Sequence, residues 1–130
     1  VIGADTIVVR DHHLLGKPTT EREAVRMLQL LSGKSHYVYT GIALVDAQTK
    51  KKISTVEKTE VHFRKIDPEE IKSYVASGSP MDKAGAYGIQ DDYGAVFVER
   101  INGCYYNVVG FPLARFYTLL QEFTKLLNED

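Results

Sequence analysis

The chain has 130 residues, 44% of them hydrophobic and 25% charged, with a formal net charge of −1. This is the composition of one ordinary globular domain, and it excludes a disordered or fibrous chain and a basic surface built to coat nucleic acid or an anionic membrane. Cys104 is the one cysteine, which excludes an internal disulfide and a cysteine-rich zinc site.

No apolar run approaches the roughly 20 residues that span a bilayer, and no signal-peptide pattern opens the chain. With its lone cysteine the chain reads as cytoplasmic, with neither nucleic acid nor membrane as a partner. It opens on Val1-Ile2-Gly3-Ala4-Asp5-Thr6-Ile7-Val8-Val9, an apolar, β-branched run that reads as a buried central strand. A domain rarely begins in the middle of such an element. The expectation is therefore one domain over residues 1–130 whose upstream part is missing.

Arg10 to His13 reads as a polar turn, and Leu14-Leu15-Gly16-Lys17-Pro18 leads out of it. Thr20-Glu21-Arg22-Glu23 has the spacing of a capping box, and Ala24, Met27, Leu28 and Leu31 then repeat at helical spacing up to a stop at Gly33. Tyr37–Val45 and Thr55–Phe63 read as a hairpin of two strands around a turn over 46–52. Asp67-Pro68-Glu69-Glu70 supplies an N-cap, a proline at N1 and a glutamate at N3 for a second helix. Its apolar face is Ile71, Tyr74 and Val75, and Gly78 ends it. Residues 79–93 form a long polar and glycine-rich loop. Gly94–Ile101 reads as a strand, with Asn102-Gly103 as a hairpin turn into a further strand at Cys104-Tyr105-Tyr106. Phe111-Pro112 opens a last helix carrying Phe116, Leu119, Leu120, Phe123 and Leu127. The order predicts an α/β fold with a mixed sheet flanked by helices.

Three places hold candidate chemistry. Loops as long as 79–93 are uncommon inside a compact domain and are often functional. This one holds Asp82, Lys83, Tyr87 and Gln90 among glycines that allow close approach to a ligand, so Lys83 could hold a phosphate, or the loop could be a solvated turn. Asp5 interrupts an apolar strand, where a carboxylate is costly unless paired or bound to metal. It could hold Mg²⁺ or orient a water, or simply accept turn hydrogen bonds. Lys17 precedes the first helix and could reach the same cleft, or be an exposed turn lysine. Neither a P-loop nor a dinucleotide fingerprint is present. His12, His13, His36 and His62 show no metal-binding spacing, Lys50-Lys51-Lys52 reads as a solvated hairpin tip, and Cys104 has no partner for thiolate catalysis.

Taken in order, Gly3-Ala4-Asp5-Thr6, Gly16-Lys17-Pro18, Leu31-Ser32-Gly33 with His36, Thr40-Gly41, Asp82-Lys83-Ala84-Gly85-Ala86-Tyr87-Gly88-Ile89-Gln90 and Asn107-Val108-Val109-Gly110-Phe111-Pro112 closely resemble the Maf family. These proteins, also called septum formation inhibitors, are nucleoside triphosphate pyrophosphatases. The resemblance runs from residue 1 to about residue 123. It implies a bent mixed sheet flanked by helices, similar to the inosine triphosphatase architecture, with a cleft between two lobes and often a homodimer. It also implies cleavage between the α- and β-phosphates to a monophosphate and pyrophosphate, with Mg²⁺ or another divalent cation such as Mn²⁺. Family members are linked to clearing unwanted nucleotides and to arresting cell division.

Carried over by position, the resemblance makes Asp5 the catalytic carboxylate, which binds metal or activates the attacking water. Lys17 and Lys83 become phosphate ligands, and Asp82 lies beside the substrate. Thr6 and Gln90 become base-selecting residues, and A-D-T with G-I-Q resembles the branch acting on dTTP and UTP. A glutamine amide both donates and accepts, which suits the carbonyl and N–H of uracil and thymine. Three departures stand out. The family's Ser- and Arg-rich N-terminal loop is absent, an expected cause of inactivity in these 130 residues taken alone. Ser79 stands where the family has Glu before Pro, and Asp91 where Gly follows the Gln. The competing reading is a nucleotide-binding regulator of cell division without turnover, and a third is hydrolysis of deaminated purine triphosphates.

Overall fold

The computed structural model describes residues 1–90 and 93–129; Asp91, one of the departures noted above, lies outside them, as does the side chain of Ser79. The strands are β1 (Ile2–Arg10), β2 (His13–Leu15), β3 (Ser35–Val45), β4 (Lys52–Phe63) and β5 (Val98–Asn102). The helices are α1 (Glu21–Leu31), α2 (Pro68–Ala76), α3 (Gly94–Phe97), α4 (Tyr105–Val109) and α5 (Leu113–Leu127). Short 3₁₀ turns at Ser79–Asp82 and Ala84–Ala86 occupy the long loop.

The strands form one sheet in the order β2-β1-β3-β4-β5. The α/β class and the flanking helices are as expected. Where a mixed sheet was anticipated, each pairing among the described residues is antiparallel. The β3–β4 hairpin and the short β1–β2 hairpin both reverse the chain, and α1 returns β3 antiparallel to β1. β1 pairs with β3 along nearly its whole length, Asp5 opposite Gly41 and Thr6 opposite Thr40. On its other side β2 covers only Val8, Val9 and Arg10, so Ile2–Ile7 have no strand beside them there among the described residues.

Alternation along β3 sets the layers, because successive strand residues face opposite sides of a sheet. His36, Val38, Thr40, Ile42 and Leu44 are each buried to 2% exposure or less. All five helices lie on that face. Around Val38, α1 and α2 pack Leu28, Leu31, Ile71, Tyr74 and Val75 with Phe63 and Phe97. Around Ile42 and Leu44, α5 packs Leu119 and Phe123. The opposite face carries Ile7, Val9, Tyr37 and Tyr39 half-buried and Leu14 and Val56 exposed.

Local signals formed the helices as read. Thr20 accepts from the Glu23 N–H at 3.1 Å, although the Glu23 carboxylate takes the Thr19 hydroxyl (2.8 Å) and does not close the box. At α2 the box is reciprocal, with Asp67 capping the first turn and Glu70 accepting from the Asp67 N–H. The apolar positions read from both helices are the buried ones.

Four expectations need correcting. His13–Leu15 is a strand because it folds back onto Val8–Arg10, a pairing two residues of turn away. Gly94–Phe97 is a helical turn, and the strand starts only at Val98. Cys104 to Tyr106 is not a strand: the chain enters α4 instead. There Thr59 Oγ1 accepts from the Cys104 N–H at 3.1 Å, and Asn107 Nδ2 donates to the Val38 carbonyl, the Glu57 carbonyl and Thr59 Oγ1. These bonds satisfy the chain against β3 and β4 without a ladder. Lys51 is no solvated lysine, since its ammonium donates to the Leu126 carbonyl (3.0 Å) at the C-terminal end of α5.

Two substitutions separate core from cap energetics. Leu28→Ala, at a site with no exposure, should lower unfolding stability by about 2–5 kcal/mol. Asp67→Ala should cost about 1 kcal/mol through the lost cap. Urea titration of both variants measures the two terms.

Candidate active site

The first strand, the residues after β2, the 3₁₀ turns and the end of α4 converge on one cavity of about 350 Å³. Asp5, Thr6, Lys17, Asp82, Lys83 and Gln90, the residues singled out in the sequence, all line it. Val8, Val38, Ile89 and Val108 add an apolar wall. Sequence reasoning missed Val8 and Val38, whose strand contexts read as core, and met Val108 only as part of the 107–112 motif.

The two lysine-bearing segments are joined by backbone. Gly85 N–H donates to the Gly16 carbonyl at 3.1 Å, which ties the residue before Lys17 to a residue two after Lys83. Gly85 has φ +73°, and a Cβ there would lie 3.0–3.2 Å from the Val8 side chain. Only glycine fits this conformation and this approach without strain. Gly94 supports the same wall from behind, since a Cβ on it would fall 1.9 Å from the Gly88 carbonyl oxygen.

The charges lie at the mouth. Lys83 Nζ is 3.0 Å from Asp82 Oδ1. That hydrogen bond first, and then the lysine charge, hold the Asp82 carboxyl below the usual carboxylate range, with a small contribution from Lys17. Asp5 is exposed, not buried as its apolar neighbours suggested, because β2 ends before reaching it. Its Oδ1 accepts from the Thr6 N–H at 3.0 Å, and Oδ2 has no protein partner among the described residues. Asp5 also borders the open sheet face, beside Ile7, Val9, Tyr39, Gly41 and Val56.

Thr6 is half-buried, and its hydroxyl is engaged within the protein. It lies 2.8 Å from the Thr40 hydroxyl and donates to the Gly110 carbonyl at 3.3 Å, which ties the end of α4 to β1. Beneath the cavity, His36 Nε2 and the Tyr87 hydroxyl are 2.7 Å apart, and Gly88 N–H donates to the Tyr74 hydroxyl at 3.2 Å. Burial, helped by the nearby His62 charge, pulls His36 down to about 3, so it stays neutral at ordinary pH. Burial pushes the Tyr87 hydroxyl well above its usual range.

Among the described residues no group of three or more His, Cys, Asp or Glu side chains could hold a metal ion. A preformed protein cage is therefore absent from this set. Mg²⁺, however, commonly binds through one or two carboxylates plus substrate phosphates and waters. The exposed Asp5 carboxylate, with an unpartnered oxygen at the rim of a lysine-lined cavity, fits that mode.

A protein-family model described as Maf-like protein matches residues 1–123. The chain belongs to the Maf-like family. Its relatives include proteins named dTTP/UTP pyrophosphatase from Carboxydothermus hydrogenoformans (53% identical over 94% of this chain and 65% of the relative) and Dictyoglomus turgidum (49% identical over 95% and 63%). Another from Bacillus cereus strain B4264 is 53% identical over 95% of this chain and 63% of its own length. The chain thus spans a little under two-thirds of these Maf-like relatives. No helix among its described residues is long and apolar enough to cross a membrane.

Two measurements test this geometry. The unfolded chain protonates its histidine near 6.5, while folded His36 resists until about 3. Between those values the unfolded state binds the extra proton, so stability is fully present above about 6.5 and falls as pH drops, by at most about 1.4 kcal/mol per pH unit. Urea unfolding at several pH values should show this slope, and His36→Gln should flatten it. Gly94→Ala should displace the Gly88 backbone and lower the melting temperature by several degrees, about the shift of a 1–2 kcal/mol loss.

Proposed function

We propose that this chain forms the nucleotide-binding wall of a nucleoside triphosphate pyrophosphatase acting on dTTP and UTP. The observation that carries the reading is the convergence of Asp5, Lys17, Asp82, Lys83, Thr6 and Gln90 on one cavity. Membership in the Maf-like family and the names of its relatives support the same activity.

In this reading the base lies against Val8, Val38, Ile89 and Val108. Gln90 meets its edge with an amide that offers one donor group and one acceptor. Lys17 and Lys83 take the phosphates, Lys83 leaving Asp82 for the stronger anion. Their charges are worth most where charge develops, on the pyrophosphate as it departs. Water attacks the α-phosphorus and its proton passes to the open oxygen of Asp5. The bond from the α-phosphorus to the bridging oxygen breaks, and pyrophosphate leaves with that oxygen and its electron pair. Asp5, together with the substrate phosphates, would also hold a divalent cation such as Mg²⁺, which supplies Lewis-acid neutralisation of phosphate charge. The cytoplasm, where nucleoside triphosphates are abundant, is the proposed compartment.

A panel of canonical and modified triphosphates assayed for pyrophosphate in the full-length protein tests the reading. Release should favour dTTP and UTP. Asp5→Asn should reduce kcat by about 10²-fold or more, in the range of a lost general base. Lys83→Ala should cut kcat/KM by a similar factor, as expected for a lost electrostatic contact. Failure to release pyrophosphate from any member of the panel would overturn the proposal.

A further inference from the structure

Two hydrogen bonds, one buried and one part-buried, reach the cavity loop at consecutive residues and from different elements. From β3, His36 meets the Tyr87 hydroxyl at 2.7 Å; from α2, the Tyr74 hydroxyl accepts the Gly88 N–H at 3.2 Å. His36, Tyr74 and Tyr87 are exposed to only 1%, 2% and 6%. Their rings form one cluster with Phe63 and Phe97. His36 and Tyr87 each meet Phe63 edge-on, at 5.0 and 4.7 Å between centroids, and Tyr74 meets Phe97 edge-on at 5.1 Å. None of the three side chains has a role in the chemistry proposed above.

Acid–base strength gives the direction of the His36 bond. His36 Nδ1 is buried without a partner among the described residues. Either tautomer leaves one donor and one acceptor of the pair unpaired, so counting alone does not choose between them. A phenol O–H is the stronger donor and a neutral imidazole nitrogen the stronger acceptor, so Tyr87 donates to Nε2. Tyr87 is then held by a neutral acceptor whose state does not change across ordinary pH.

We propose that His36 and Tyr74 are positioning residues for the nucleotide site. By fixing residues 87 and 88 they hold Lys83, on one side of the pins, and Gln90, on the other, at the separation a bound nucleotide requires. The inference rests on the reading of this cavity as a triphosphate site. A loop held in its binding-competent form binds without the loss of affinity that a partly populated form imposes. Releasing a pin should weaken binding of the whole substrate, phosphate and base alike, and leave the chemical step little changed.

Tyr87→Phe and Tyr74→Phe remove one hydroxyl each and keep the rings, in the full-length protein. With UTP, Tyr87→Phe should raise KM about 3- to 10-fold with kcat within about 2-fold, as for a competent form reduced to a minority population. Adding His36→Leu to Tyr87→Phe should raise KM little further, because both changes break one bond and such effects are not additive. His36→Gln alone, whose amide can still accept from Tyr87, should raise KM less than Tyr87→Phe does. Hydrogen exchange without nucleotide should quicken in residues 82–90 in Tyr87→Phe and Tyr74→Phe. A lower melting temperature with unchanged KM, or unchanged exchange in that loop, overturns the proposal. If the loop loosens as expected but the unsubstituted protein neither binds nor cleaves UTP, the reading of function falls and the pinning stands.

Discussion

The site depends on one close approach, that of the loop after α2 onto β1 at Gly85. A left-handed glycine presses against Val8 and sends its N–H to the Gly16 carbonyl. That contact closes the cavity on one side and sets two lysines from distant segments at one mouth. The β1–β3 register closes the other side. Thr6 opposite Thr40 reaches the Gly110 carbonyl, which brings in the end of α4. A side chain at position 85 would have to move Val8, a core residue, before the lysines could share a ligand.

The electrostatics of the cavity are divided by depth. At the mouth, an exposed Asp82 and a half-buried Lys83 pair in a setting where such an ion pair contributes about 0–1 kcal/mol. At the floor, His36 and Tyr87 are both held neutral by burial, and their bond is insensitive to the charge that arrives above. The arrangement places charge at the mouth, where the proposed nucleotide phosphates would lie, and uncharged geometry beneath it.

How much of this was legible depended on range. The α2 box is written in four consecutive residues, Asp67 to Glu70, and the buried stripe of α1 in the helical spacing of Ala24, Met27, Leu28 and Leu31. Both could be read because their partners are local. Asp5, Lys17 and Lys83 stood out because their chemistry is unusual among glycines and apolar residues, and ordered motifs joined them. What escaped is carried by distant partners. Asn102-Gly103 and two tyrosines look like a hairpin. Yet Asn107 finds Thr59, forty-eight positions away, and the chain turns helical. Tyr87 and His36 are fifty-one positions apart, and nothing near either residue announces their bond. Asp5 was misplaced for a similar reason: its strand looks central, and only the shortness of β2 exposes it.

The open side of β1 gives Asp5 a second consequence. Among the described residues no strand lies beside Ile2–Ile7 on that side, and such a bare strand border is where folded proteins stick to one another. Asp5 sits in the middle of that border, and a charge there is one of the devices that discourage edge-to-edge association. The carboxylate that the proposed reaction would use thus also sets the charge of the sheet's margin.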